Sequence, residues 1–219
     1  MSLWRNNSLS LVLLAITLLT MGGMFATGWQ VYDRELIEHG RSGASAAQYV
    51  RSGHFLSTMF ENWESEFLEK AFYVMLTAFL IQRGSAESKD PDKPEEVDEH
   101  PTSRINDPDA PWPVRSGAWV RGLYSYSLGI VLAFLFIGTV FLHLTFSAQK
   151  ANMEASLHRQ PEIGYWQHLI DAGFWFESFQ NWQSEFMSTG LLVFLSIFLR
   201  FRGSPESKRV AASNSETGK

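Results

Sequence analysis

The feature that most constrains this chain is an uncharged stretch near its start. No charged residue occurs from Asn6 to Tyr32, and the centre of this stretch is almost entirely aliphatic. About 20 apolar residues suffice for a helix to cross the hydrocarbon core of a bilayer. A second uncharged stretch extends from Gly122 to Gln149. The sequence therefore predicts two long transmembrane helices, with a cleaved signal peptide as the alternative for the first.

Two shorter apolar runs, 71–81 and 190–199, predict two further spans. A run of this length alone favours a buried helix of a soluble protein. Aromatic residues at helical spacing, however, continue each run toward the N-terminus, through Trp63 in the first and Trp182 in the second. We therefore predict an amphipathic start at the membrane interface for each helix. The predicted fold is an all-α membrane protein with four transmembrane helices.

The distribution of basic residues predicts how these helices are oriented. Segments 1–5, 83–121 and 200–219 contain 12 of the 18 Lys and Arg residues. Basic residues concentrate on the cytoplasmic side of membrane proteins. Both termini and the central linker are thus predicted to be cytoplasmic. The predicted interfacial anchors are four tryptophans: Trp4, Trp29, Trp63 and Trp182.

Composition identifies the segments between and after the spans. Residues 90–118 are rich in proline and acidic side chains, which predicts a disordered linker, with a docking site for a basic partner as the alternative. The tail 209–219 is predicted to be disordered as well. The net charge of −5 argues against nucleic-acid binding. The absence of cysteine excludes disulfides, thiolate metal sites and a cysteine nucleophile.

An internal repeat organises the whole chain. Residues 55–89 and 174–208 align without a gap at an offset of 119, and 17 of these 35 positions are identical. This identity predicts a duplication. Residues 1–89 and 119–208 would then be two tandem two-helix hairpins, related by an axis along the membrane normal. The first apolar stretch also aligns with the internal stretch 122–149, which argues against a cleaved signal.

Two motifs carry a resemblance to a known family. Phe-x-Asn-Trp-x-Ser-Glu-Phe occupies 60–67 and 179–186, and Arg-Gly-Ser-x-Glu-Ser-Lys occupies 83–89 and 202–208. With these motifs the chain resembles bacterial integral membrane proteins grouped under a domain of unknown function. The resemblance covers nearly the whole chain outside the linker. It implies a protein of the bacterial cytoplasmic membrane and no particular chemistry.

The first motif supplies the candidate polar or ion site. Residues at i, i+3 and i+4 share one helix face, so each copy of the motif is predicted to present one amide, one hydroxyl and one carboxylate together. A structural interpretation gives these groups hydrogen bonds between helices and a carboxylate near a helix N-terminus. A functional interpretation lets the two glutamates share a proton or bind a cation. The residues are Asn62, Ser65, Glu66, Asn181, Ser184 and Glu185.

Metal, haem and enzyme chemistry find little support in the sequence. His143 is the one histidine inside a predicted span, so a bis-histidine haem is not predicted. His39 and His158 match at the repeat offset beside Glu35 and Glu154. A solvated role is predicted for them, with metal binding as the alternative. No nucleotide-binding or hydrolase motif occurs.

These observations predict a multi-pass membrane protein with a structural or accessory role and no cofactor. The expected partners are the lipid bilayer and either a second copy or another membrane protein. Gly22, Gly23 and Gly129 are small residues that permit close helix contact. The alternative function is a small proton or cation conduit using Glu66 and Glu185. An enzyme acting on a lipid or periplasmic substrate is a third hypothesis.

Overall fold

The computed structural model describes residues 3–218, and helices make up 67% of the chain. No strand occurs in residues 3–218, which confirms the predicted all-α class. The long helices are α1 (Leu3–Glu38), α3 (Gly53–Phe79), α6 (Ser127–Leu157) and α8 (Ala172–Leu195). The short ones are α2 (Ala46–Tyr49), α4 (Trp112–Arg115), α5 (Ala118–Ser125) and α7 (Tyr165–Leu169). Two 3₁₀ turns, Glu96–Asp98 and Pro101–Arg104, lie in the linker.

Two of the long helices, α1 and α6, are long and apolar enough to cross a membrane. Helix α1 contains the whole first uncharged stretch, and α6 contains the second from Ser127 onward. In α1 no residue of the most apolar window is buried inside the protein, and in α6 only 17% of that window is buried. Large apolar side chains such as Leu9, Leu19 and Phe134 are therefore exposed. Helices α3 and α8 carry many polar side chains in their first halves, and their role as spans stays a prediction.

The chain separates into two compact units whose boundaries fall within three of the long helices, α3, α6 and α8. Unit 1 contains Met1–Glu61 and Val140–Trp175, and unit 2 contains Asn62–Thr139 and Phe176–Lys219. The predicted division into hairpins, linker and tail is a different partition. Its boundaries and the disorder expected for 90–118 and 209–219 stay predictions.

Unit 1 has an aromatic core built on Tyr49 and Phe55, both buried. The Phe25 ring lies 5.6 Å from that of Tyr49 and 5.7 Å from that of Phe55. Gly28 admits the Tyr49 hydroxyl, because a Cβ at residue 28 would overlap it. Such ring pairs contribute about 0.5–1.5 kcal/mol each beyond simple burial. This cluster fixes the short helix α2 against α1.

Helices α3 and α6 approach closely in unit 1 at Gly53, a glycine that was not among the predicted contact residues. A Cβ on Gly53, the first residue of α3, would lie 2.6 Å from the amide nitrogen of Lys150 in α6. At Gly22, Gly23 and Gly129, by contrast, an added Cβ would meet nothing within 4 Å. These three glycines therefore mediate no close helix contact within the chain, and close approach depends on residue 53.

Candidate functional site

The first copy of the candidate polar site lies on α3 in unit 2, and its residues do not share one environment. Ser65 is buried, whereas Asn62 and Glu66 are exposed. The Ser65 hydroxyl donates to the backbone carbonyl of Asn62 at 2.8 Å. The buried serine therefore satisfies its hydroxyl inside its own helix, while Glu66 lies on the exposed side.

The second copy, on α8, repeats the serine contact. The Ser184 hydroxyl donates to the Asn181 carbonyl at 3.0 Å, and the Asn181 amide donates to the Glu177 carbonyl at 3.2 Å. Ser184 is exposed, and Asn181 and Glu185 are half-buried. Electrostatic interaction connects the Glu185 carboxylate with those of Glu66 and Glu69. The carboxylates of Glu66 and Glu185 are thus close enough for electrostatic repulsion between them.

The most buried carboxylates of unit 2 are two that the sequence analysis did not select. Glu64 is 0% exposed and Glu69 is 1% exposed. The indole Nε1 of Trp182 donates to Glu64 Oε1 at 3.2 Å, and the Thr189 hydroxyl donates to Glu69 Oε1 at 2.6 Å. The Nζ of Lys70 lies 2.7 Å from Glu69 Oε2. Buried carboxylates on α3 are therefore held by donors on α8.

Glu64 and Glu69 were not predicted, because the candidate site was chosen from polar residues that both copies of the motif share. At the offset of 119, the corresponding residues are Gln183 and Ser188, which carry no charge. Within unit 2, the buried positions of α3 recur at spacings of three and four residues, as expected for one helix face. They are Glu64, Ser65, Leu68, Glu69 and Ala71.

Two of the predicted tryptophan anchors donate hydrogen bonds inside the protein. The Trp29 indole donates to the Ala44 carbonyl at 2.6 Å, and Trp182 binds Glu64 as described. Trp4 is 61% exposed and Trp63 is 38% exposed. Trp29 and Trp182 therefore have a packing role in addition to any contact with an interface.

The second motif, Arg-Gly-Ser-x-Glu-Ser-Lys, forms the same loop in both places. Gly84 and Gly203 each take φ +86°, a left-handed backbone conformation that favours glycine. The first serine accepts from the amide two residues later, at 3.0 and 3.1 Å. The second serine accepts from the amide six residues earlier, at 2.9 Å in both copies. These serines are Ser85, Ser204, Ser88 and Ser207.

The lysines that end the two loops have very different surroundings. Lys208 is 2% exposed, and its ammonium donates to four backbone carbonyls at 2.5–3.2 Å, those of Gly84, Ser213, Asn214 and Glu216. Burial lowers the pKa of Lys208, and the Arg200 guanidinium acts in the same direction. The Lys89 ammonium instead pairs with Asp98 at 2.7 Å, and this hydrogen bond lowers the pKa of Asp98.

Unit 1 contains buried histidines that the sequence analysis left without a role. His143 is fully buried, and its ring lies 5.0 Å from that of Phe174. The hydroxyl of Ser147 is 2.8 Å from Nε2 of His168, and both residues are buried. A carboxylate oxygen of Glu61 lies within 4.8 Å of a ring nitrogen of His143. The one available signal was a histidine within the apolar stretch of α6.

Comparison with known proteins gives a family and no activity. A family model described as a domain of unknown function, DUF6766, matches residues 1–219. No curated protein and no solved structure matches the chain significantly.

Proposed function

The chain belongs to the DUF6766 family, and we propose that it is a multi-pass protein of the bacterial cytoplasmic membrane with a structural or accessory role rather than an enzymatic one. The observation that carries this proposal is the use of its repeated polar residues. Serines of both motifs make the same hydrogen bonds to the backbone in both copies. Residues used in this way specify architecture.

The membrane assignment rests on α1 and α6 as spans, with α3 and α8 as two further spans. The exposed apolar side chains of α1 and α6 support it, because a continuous surface of this kind is rare on soluble monomers. The predominance of basic residues in the terminal and linker segments supports cytoplasmic termini. The identical loops at the ends of the repeat support a duplicated hairpin. A second copy or another membrane protein would be the partner of the uncovered helix surfaces.

A proton or cation conduit is the second candidate, and buried carboxylates favour it. Acidic side chains within membrane helices are costly and are often part of ion pathways. Glu64 and Glu69 are separated by about 7.5 Å along α3, at about 1.5 Å rise per residue. Glu66 and Glu185 lie within electrostatic range of the same group of charges. Four carboxylates thus occur in one region of unit 2.

Flux measurements on liposomes separate the two candidates. We would reconstitute the wild type and three variants, Glu64→Gln, Glu69→Gln and the double variant Glu66→Gln/Glu185→Gln. Proton and potassium flux would then be recorded under an imposed potential. A structural role predicts no flux above that of empty liposomes for any of these proteins. The glutamine variants of the buried positions should instead lower the melting temperature.

Each other outcome has a distinct meaning. Wild-type flux that disappears in an equally folded double variant would refute the structural proposal and identify Glu66 and Glu185 as the pathway. Flux that disappears only with Glu64→Gln or Glu69→Gln would place the pathway at the buried carboxylates. The double variant is the control in that case, because it removes two charges, one more than either single variant, from more exposed positions.

A further inference from the structure

Two histidines 119 residues apart meet at one end of unit 1. His39 directly follows α1 and His158 directly follows α6. Their ring centroids are 5.2 Å apart, with an angle of 67° between the ring planes. Both side chains are exposed to solvent.

Matching helix ends bring the two rings together. The residue after each histidine has a left-handed backbone, Gly40 at φ +72° and Arg159 at φ +56°. The next amide closes each end by donating to the carbonyl five residues earlier, at 2.8 Å in both helices. Both histidines are therefore held at the same point of the same helix cap.

The hydrogen bonds of the rings determine which nitrogen is available. Nδ1 of His39 lies 2.8 Å from the Glu35 carbonyl oxygen, and Nδ1 of His158 lies 2.9 Å from the Glu154 carbonyl oxygen. A carbonyl oxygen can only accept, so each Nδ1 must carry the hydrogen. In a neutral imidazole the lone pair is then on Nε2. A backbone hydrogen bond of this kind also orients metal-binding histidines in general.

We propose that His39 and His158 together bind one divalent transition-metal ion, of the class of Zn²⁺, through their Nε2 atoms. A tetrahedral Zn²⁺ bound by two imidazole nitrogens at about 2.0–2.1 Å places the ring centroids about 5 Å apart. The observed separation of 5.2 Å agrees with this geometry. Water would complete the coordination shell.

The charges around the pair suit a cation. The Arg41 guanidinium would repel a bound cation, and it donates a hydrogen bond to the Ser156 hydroxyl at 3.1 Å. Four carboxylates and two guanidinium groups occur within four residues of the two histidines. The acidic residues are Glu35, Glu38, Glu154 and Glu162, and the basic ones are Arg41 and Arg159.

Zinc titration by calorimetry tests the proposal on the full chain, purified in detergent through a tag that contains no histidine. We expect one Zn²⁺ per chain. We expect His39→Gln and His158→Gln each to weaken binding at least tenfold. His100→Gln is the matched control, because it removes an exposed histidine whose Nδ1 also has a hydrogen-bonding partner. This control should bind Zn²⁺ as the wild type does.

The pH dependence gives a second test that does not depend on absolute affinity. A metal-bound imidazole must be deprotonated, so acid weakens binding with the square of the proton concentration when two imidazoles bind. The slope should fall from two to one in either single variant. Equal affinity in the wild type and in the His39→Gln/His158→Gln double variant would overturn the proposal. A loss of affinity in His100→Gln as large as in the other variants would overturn it as well.

Discussion

Replacing Lys208 by methionine should open the C-terminal loop of unit 2, whereas the same change at Lys89 should have little effect. Methionine keeps the aliphatic volume and removes the ammonium. Lys208 is 2% exposed and donates to four backbone carbonyls, and Lys89 pairs with one partly exposed aspartate. The two lysines occupy the same position of the same motif. Their variants thus form a matched pair.

The loss of local stability expected for Lys208→Met follows from the hydrogen bonds of the ammonium group. An ammonium has three hydrogens, so up to three carbonyls are bound at one time. Each hydrogen bond to a charged group contributes about 1.5–3 kcal/mol net. Exposed carbonyls of the tail regain water when the lysine is lost, but the buried Gly84 carbonyl does not. We therefore expect a loss of about 3 kcal/mol in local stability, equivalent to an increase of about 100-fold in the opening equilibrium constant.

Hydrogen exchange of two amides measures this opening. The Gly84 amide donates to the Thr217 hydroxyl at 2.9 Å, and the Gly218 amide donates to the Ser85 carbonyl at 3.0 Å. Both should exchange about 100-fold faster in Lys208→Met, and within a few-fold of wild type in Lys89→Met. Fast exchange of both amides already in the wild type would refute the reasoning. That outcome would favour the disordered tail expected from composition.

Three further predictions concern packing, a buried contact and topology. Gly53→Ala should lower the free energy of unfolding by about 1–3 kcal/mol, because the added methyl group overpacks against α6. Gly22→Ala should leave the melting temperature unchanged or raise it. Equal melting temperatures for these two variants would contradict the prediction. Trp182→Phe should lower the free energy of unfolding by about 1.5–3 kcal/mol, because it removes a donor to a buried carboxylate. Most of this loss should vanish when the same change is made in the Glu64→Leu variant. Because the chain has no cysteine, single-cysteine variants can be labelled in intact cells. An impermeant maleimide should label Ser42→Cys and not Ser103→Cys, and the reverse result would invert the proposed orientation.

The sequence predicted the helical class and the two apolar helices α1 and α6 well, because a long uncharged run permits few alternatives. It also identified the motif at 83–89 and 202–208, which forms the same loop in both copies. The interior of unit 2 was harder to predict. A repeat emphasises residues that both copies share, and burial followed the helix face instead, so that Glu66 is exposed while Glu64 is buried. Hydrogen-bonding partners from distant segments, such as Gly84 for Lys208, leave no local signal at all.

The contacts of Glu69 suggest why two hairpins would be fused in one chain. Under the proposed duplication, the acceptor Glu69 corresponds to Ser188, and its donor Thr189 corresponds to Lys70. The Glu69–Thr189 hydrogen bond therefore has no symmetric counterpart with a carboxylate. Two identical hairpins would place this acidic residue in both subunits and remove the threonine from both. Fusion allows one copy to carry the buried carboxylates and the other to carry their donors, since each copy can then change independently of the other.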